Sequence, residues 1–312
     1  MYFPYLRGRQ FELIALRELV ENAALSEKII PIIEPVKLSS TFIKTIEAFN
    51  AKGRKIALIS NPQVGSFRTD LENEKNVVLK NRFKEIANLP VVIRTHILNE
   101  NSEKQLSHLI KNGIKPQDLL TICCNKDYIS AYENVFIDSK PQYNLILDES
   151  VFRRRIRDNR VLLNDNFTKL ARNTDYADID EPFSDDHIYC KQDGYKGFAD
   201  YSIIGGEFSE SGFAPYAVAI HIVYFDKDDS LRIRHFVSDT NDDINDPANK
   251  FSEAVGKLIE WNKSANLDTL GIEALVSLYK NETYPGLGMV KKLSIMHHIE
   301  LIGRYLDKEK EQ

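Results

Sequence analysis

The sequence predicts an α/β protein: a (β/α)8 TIM-barrel-like fold with a C-terminal antiparallel hairpin and extra helices. Three observations predict it. From residue 10 to about 150, amphipathic stretches alternate with short β-branched runs. Those runs are apolar nearly throughout, the pattern of parallel strands buried on both faces with helical crossovers between them. No GxGxxG or GxxxxGK(S/T) follows any run, which argues against the two commonest nucleotide-binding sheets and for a barrel.

The elements follow in order. Phe11, Leu13, Ile14, Leu16, Leu19 and Val20 fall at helical spacing and mark a first helix. Ile29–Glu34 is the first strand. Ser39 and Ser40 are N-cap candidates for a helix whose face is Phe42, Ile43, Ile46 and Phe49, with Gly53 to end it. Lys55–Asn61 is the second strand, and a helical pattern covers 68–88. Pro90–Thr95 is the third strand, and Ser102–Lys111 a helix closed by Asn112 and Gly113. Leu119–Asn125, Asn134–Asp138 and Tyr143–Glu149 are the fourth, fifth and sixth strands.

The second half breaks this rhythm. Residues 150–197 hold a helix and a polar, acidic insertion. Ala199–Gly205 reads as the seventh strand and Ala217–Tyr224 as the eighth. The eighth turns at Asp226–Asp229 into the alternating run Leu231–Val237, an antiparallel edge hairpin. Helices follow at 249–262, 267–281 and 287–306. No linker rich in Pro, Gly or Ser interrupts the chain, so 1–312 reads as a single barrel-like domain, embellished after about residue 150.

Composition narrows the class. The 41 basic and 46 acidic side chains leave a net charge of −5, with no global drive toward nucleic acid or anionic lipid. No run of apolar residues is long enough for a membrane span, so none is expected. The start, Met1 to Arg9, places its apolar residues before its charges, unlike a secretory signal. Cys123, Cys124 and Cys190 make a poor disulfide framework, and a cytoplasmic location is expected.

In a parallel barrel the ligand site lies at the C-terminal strand ends. Those ends offer Glu34, Asn61, Arg94, Thr95, Asn125, Asp138, Asp148, Glu149 and His221. Glu34, Arg94 and Asp148, with His221, are the candidate catalytic residues. Carboxylates in such a ring can hold a divalent metal, the candidate cofactor, while an arginine neutralises a phosphate. The competing reading is that polar residues after strands only cap the next helix.

Arg153, Arg154, Arg155 and Arg157 form a basic block suited to phosphate or nucleic acid. An acidic block at 175–186 follows and could neutralise it. Gly205, Gly206 and Gly212 flank Ser209, Glu210 and Ser211, a loop that could cradle an anion or be a plain turn. His297 and Glu300, three apart on a helix, share a face, and with His221 they would make a partial metal-ligand set.

Tyr5–Leu13, followed by Ile32-Ile33-Glu34-Pro35, resembles the phage beta-protein family and its bacterial relatives. So do Gly197–Gly205, Ala219-Ile220-His221, and Lys291–Ser294 with His297-His298-Ile299-Glu300. The resemblance implies a barrel-type protein of phages or of mobile and defence-associated bacterial loci. These relatives are largely without an assigned reaction, so no catalytic residues carry over. The expected function is therefore a binding or scaffold component of a phage-related or antiphage-defence assembly, with a protein partner from the same operon. The alternatives are an enzyme processing a phosphate ester or nucleic acid at the strand ends, and nucleic-acid binding through the arginine block.

Overall fold

The computed structural model describes residues 1–209 and 215–308. Eight parallel strands close a barrel: β1 (Tyr2–Leu6), β2 (Ile32–Ile33), β3 (Ile56–Ile59), β4 (Val92–Ile97), β5 (Leu119–Cys123), β6 (Tyr143–Ile146), β7 (Arg160–Asn164) and β9 (Gly197–Asp200). Closure comes from β1, which pairs with β2 through Tyr5↔Ile32 and with β9 through Phe3↔Ala199. A separate antiparallel sheet has the order β10 (Ala219–Phe225), β11 (Leu231–Val237), β8 (Asp180–Ser184).

The expected barrel is present, with two of its staves exchanged. The expected seventh strand, Ala199–Gly205, overlaps β9 at Ala199 and Asp200 and runs past its end, and the expected eighth lies outside the barrel. Tyr2–Leu6 and Arg160–Asn164 are barrel strands that the periodicity did not separate from their polar neighbours. Asn134–Asp138 is no strand: the helix Ile129–Val135 runs into it and ends at Phe136. Ala217–Tyr224 contributes β10 to the small sheet and not to the barrel. The acidic stretch supplies β8, whose Pro182 sits on a sheet edge where a missing N–H costs no ladder bond.

The helices obey their local signals. Ser39 caps the helix Ser40–Ala51 by accepting from the Phe42 N–H, and Phe42, Ile43, Ile46 and Phe49 are its buried face. Long helices span Pro247–Ala265, Leu270–Lys280 and Leu287–Lys308. No described helix is long and apolar enough to cross a membrane.

Contacts divide the chain into two compact units. The first holds 1–10, 27–165 and 186–200, which is the barrel; the second holds 11–26, 166–185 and 201–312. The barrel interior is filled with side chains. Phe3 on β1 meets Tyr143 on β6, a strand not adjacent to it, with ring centroids 4.9 Å apart, so this contact passes through the barrel. Both Phe3 and Tyr5 are buried. In the second unit the Phe11 ring lies so close to Gly288 that a Cβ there would meet it at 2.1 Å. Gly271 faces the Leu293 carbonyl equally closely, at 2.2 Å from its own would-be Cβ.

Candidate functional site

Glu34 is the one candidate that the barrel places at a strand end and fully buries, at 0% exposure. It follows β2 directly, and its N–H donates to the Leu6 carbonyl at 2.9 Å, extending the β1–β2 ladder by one residue. Its carboxylate is surrounded by donors. The Tyr5 hydroxyl donates to Oε2 at 2.7 Å, the Gln63 N–H donates to Oε1 at 2.7 Å, and the Arg7 guanidinium forms an ion pair with Oε2. The left-handed Gly8 (φ 63) turns the chain just after Arg7; a Cβ there would meet the Ile33 side chain at 3.0 Å and the Glu34 carbonyl at 3.1 Å. Tyr5, Arg7 and Gln63 escaped the sequence reading, although Tyr5 and Arg7 sit at the end of an apolar run.

Arg94 is not at a strand end, which corrects the reading from sequence. β4 continues to Ile97, and Arg94 pairs across to Leu119, the first residue of β5. It is half-buried and donates to Asn88 at 3.3 Å, next to the loop that enters the strand. Near this end of the strand lie the buried polar residues His96, Ser102 and Asn61. His96 Nε2 lies 2.8 Å from the Ser102 hydroxyl, and Asn61 bonds both the N–H and the carbonyl of Ile97, at 2.9 and 2.7 Å. Burial lowers His96 to a pKa of about 4, so it is neutral here.

Asp148 lies just past β6 but is half exposed and already engaged. The Tyr195 hydroxyl donates to it at 2.7 Å, and Arg153 forms an ion pair with it. The Tyr195 hydrogen bond, with help from Arg153, holds this carboxyl below its usual range. Asp200, at the true end of β9, is instead the buried second carboxylate of the barrel, accepting from the Tyr2 hydroxyl at 2.7 Å. The sequence pattern puts Asp200 inside the longer run Ala199–Gly205, whereas β9 ends at it.

His221 is on β10, outside the barrel, which removes it from the strand-end ring. It stands directly across from His235 on β11, with the two Nδ1 atoms 2.6 Å apart. Phe167 and Tyr176 pack against the His221 ring with centroids at 5.1 and 4.8 Å. Burial drives His221 to a pKa of about 3 and His235 to about 4. A neutral pair needs one Nδ1–H donating to the other Nδ1, so the two rings hold opposite tautomers at these atoms.

The other candidates resolve into structural roles. His297 contacts the Thr269 hydroxyl at 2.7 Å through Nδ1 and the Val223 carbonyl at 2.7 Å through Nε2. Because only an N–H can bond a carbonyl, Nε2 carries the proton and Nδ1 accepts. Glu300 accepts from the Leu270 N–H at 2.8 Å, so it caps the preceding helix, Leu270–Lys280, as a carboxylate at a helix N-terminus does. Both ring nitrogens of His297 are thus used, and no group of three or more His, Cys, Asp or Glu among the described residues is placed to hold a metal.

Within the arginine block, Arg153 pairs with Asp148, and Arg155 pairs with Glu133 through two nitrogens. Arg154 and Arg157 stay exposed with no acidic partner among the described residues. The acidic block turns elsewhere: Asp180 accepts from Arg232 at 2.9 Å and Arg234 at 3.3 Å. Cys123 is buried, and burial pushes its thiol up to about 12, far from a reactive thiolate. Of the glycine-rich loop, Glu210, Ser211 and Gly212 lie outside the described residues.

No model of a known protein family matches the chain, and no curated protein matches it either.

Proposed function

We propose that this chain is a binding component of a protein assembly, in the phage-related or antiphage-defence setting that its resemblance implies. One observation carries the reading. The ionisable residues expected to form a reactive ring do not converge: Glu34, Arg94, Asp148 and His221 each have a different intramolecular partner. Glu34 would have to leave Tyr5, Arg7 and Gln63 before it could bind a metal or move a proton. That describes a braced scaffold better than an open reactive mouth.

Co-expression of the tagged chain with its neighbouring genes, read by light scattering after size exclusion, tests this. A complex of fixed stoichiometry is expected. A monomer with every neighbour, together with loss of the biological phenotype in a well-folded Glu34→Gln variant, overturns it in favour of the phosphate-ester or nucleic-acid-processing alternative.

Direct nucleic-acid contact is the second reading, and Arg154 and Arg157 favour it because they present two uncompensated guanidinium groups on one exposed turn. Its signature is salt-dependent binding.

A further inference from the structure

Two helices of this protein end alike. Ser102–Lys111, in the barrel unit, is followed by Asn112 at φ −88 and ψ 18; Leu270–Lys280, in the second unit, is followed by Asn281 at φ −91 and ψ 7. Each asparagine donates its N–H to the carbonyl four residues back, that of His108 at 3.1 Å and that of Ser277 at 3.0 Å. Each also lays its side-chain amide back on that residue. Asn112 Nδ2 donates to His108 Nε2 at 2.9 Å, and Asn281 Nδ2 to the Ser277 hydroxyl at 3.4 Å. Both asparagines are exposed. The residue that follows differs: Gly113 in one case, Glu282 in the other. Asn112 is the only asparagine of the chain that a glycine follows.

We propose that Asn112 is a site of spontaneous deamidation, in which the Gly113 backbone nitrogen displaces the side-chain nitrogen and His108 assists its departure. The Gly113 nitrogen attacks Cγ of Asn112 and closes a cyclic succinimide. Its own proton is lost to solvent, the Cγ–Nδ2 bond breaks, and the side-chain nitrogen takes up a proton and leaves as ammonia. Water then opens the ring at either carbonyl, giving aspartate or isoaspartate with one new carboxylate. Nothing is oxidised or reduced, and water is the only co-reactant.

Glycine has no Cβ to hinder the ring closure, and a Cβ built on Gly113 would meet nothing within 4 Å, so the segment has room to turn. Closure requires Gly113 to release the Ile110 carbonyl, to which its N–H donates at 3.0 Å. That bond closes an exposed helix end, where fraying costs little. His108 Nε2 already touches the nitrogen that must leave. In its imidazolium form it donates a proton to that nitrogen as the bond breaks, the work of a general acid. At Asn281 a serine hydroxyl takes the place of the imidazole, and Glu282 brings a Cβ to the attacking nitrogen.

The products disturb the helix end. A carboxylate at a helix C-terminus opposes the macrodipole. Isoaspartate also lengthens the main chain by one carbon, which upsets the bonds from Gly113 to Ile110 and from the Ile114 N–H to the Leu109 carbonyl. Its free α-carboxylate is the group that an isoaspartyl methyltransferase esterifies with S-adenosylmethionine, so repair by methyl transfer is the class of reaction that would consume this product.

The full chain is kept folded in mildly alkaline buffer and sampled over weeks. Peptides are read by mass spectrometry for a gain of about one dalton, and isoaspartate by methyl transfer from labelled S-adenosylmethionine with a purified isoaspartyl methyltransferase. Asn112 is expected to convert about tenfold faster than Asn281. His108→Ala is expected to slow Asn112 about threefold. Glu282→Gly, which relaxes a left-handed backbone (φ 50), is expected to bring Asn281 to within about threefold of Asn112. Asn112→Gln should abolish both the mass gain at this position and its methyl acceptance. No mass gain at Asn112, or equal rates at Asn112 and Asn281, would overturn the proposal. A His108→Ala variant as fast as the wild type would overturn the part given to the imidazole.

Discussion

Replacing Glu34 with alanine strips the acceptor from three donors at once: the Tyr5 hydroxyl, the Gln63 N–H and the Arg7 guanidinium. A hydrogen bond to a charged group is worth about 1.5–3 kcal/mol, and breaking a buried ion pair from one side costs about 3–5 kcal/mol. The three contacts share one carboxylate, so these figures overlap rather than add. Arg7 keeps 14% of its side chain exposed, and the stranded guanidinium is partly rehydrated. The expected loss is therefore about 3–4 kcal/mol, a large share of the ~5–15 kcal/mol that holds a typical domain. Glu34→Gln keeps an acceptor oxygen but turns an NH2 toward one donor, and should cost about half as much. Trp261 lies in the other unit, so the barrel needs its own reporters: urea unfolding by far-UV circular dichroism, and hydrogen exchange at the β1 and β2 amides. A Glu34→Ala loss below about 1 kcal/mol would refute the view that this carboxylate braces the junction of the first two strands.

Acid should destabilise the protein steeply. His96, His235 and His297 have folded pKa values of about 4 and His221 about 3, all depressed by burial from the usual 6.5. Below pH 6.5 the unfolded chain takes up these protons while the folded chain refuses them. Stability is therefore intact above pH 6.5 and falls toward pH 4, by up to ~1.4 kcal/mol per pH unit for each histidine. Urea midpoints measured across that window should drop accordingly, and a His221→Gln/His235→Gln double variant should show a shallower drop. Gly271→Ala puts a methyl group 2.2 Å from the Leu293 carbonyl, so the helices Leu270–Lys280 and Leu287–Lys308 must part; a melting temperature unchanged from wild type would contradict the packing. Gly65→Ala adds a similar collision, 2.2 Å from the Val36 carbonyl, to a backbone at φ 74, and should lower barrel stability by ~2 kcal/mol or more in the same urea assay. If nucleic acid binds, Arg154→Gln with Arg157→Gln should flatten the salt slope by about two, whereas Arg153→Gln should change it little because Asp148 already neutralises that arginine.

Local pattern was enough for the helices and for most barrel strands. Ser39, the face from Phe42 to Phe49 and Gly53 specify one helix without help from the rest of the chain, because capping and a periodic apolar face are short-range physics. The same applies to the fully apolar Ile56–Ile59 and to Leu119–Cys123, apolar but for Thr121, runs that fit a strand buried on both faces. Tyr2–Leu6 is not recognisable as a strand from the sequence because a strand's identity depends on what it pairs with, and its neighbours β2 and β9 lie about 30 and 195 residues away. Ala219–Phe225 looked like a barrel strand for the mirror reason: its composition is right, but its hairpin partner β11 holds it in another sheet.

The candidate site divides along the same line. The sequence by itself determined that a barrel forms and that Glu34 ends a strand of it. Only the tertiary structure decided that Glu34 is locked by Tyr5 and Arg7, that Asp200 and not Asp148 is the other buried barrel carboxylate, and that His221 faces His235 in a different sheet. The physical reason is range. A strand or helix is chosen by neighbours a few residues away, whereas the partner of a charge is chosen by register and closure, which join residues from 14 positions apart in His221 and His235 to 198 in Tyr2 and Asp200.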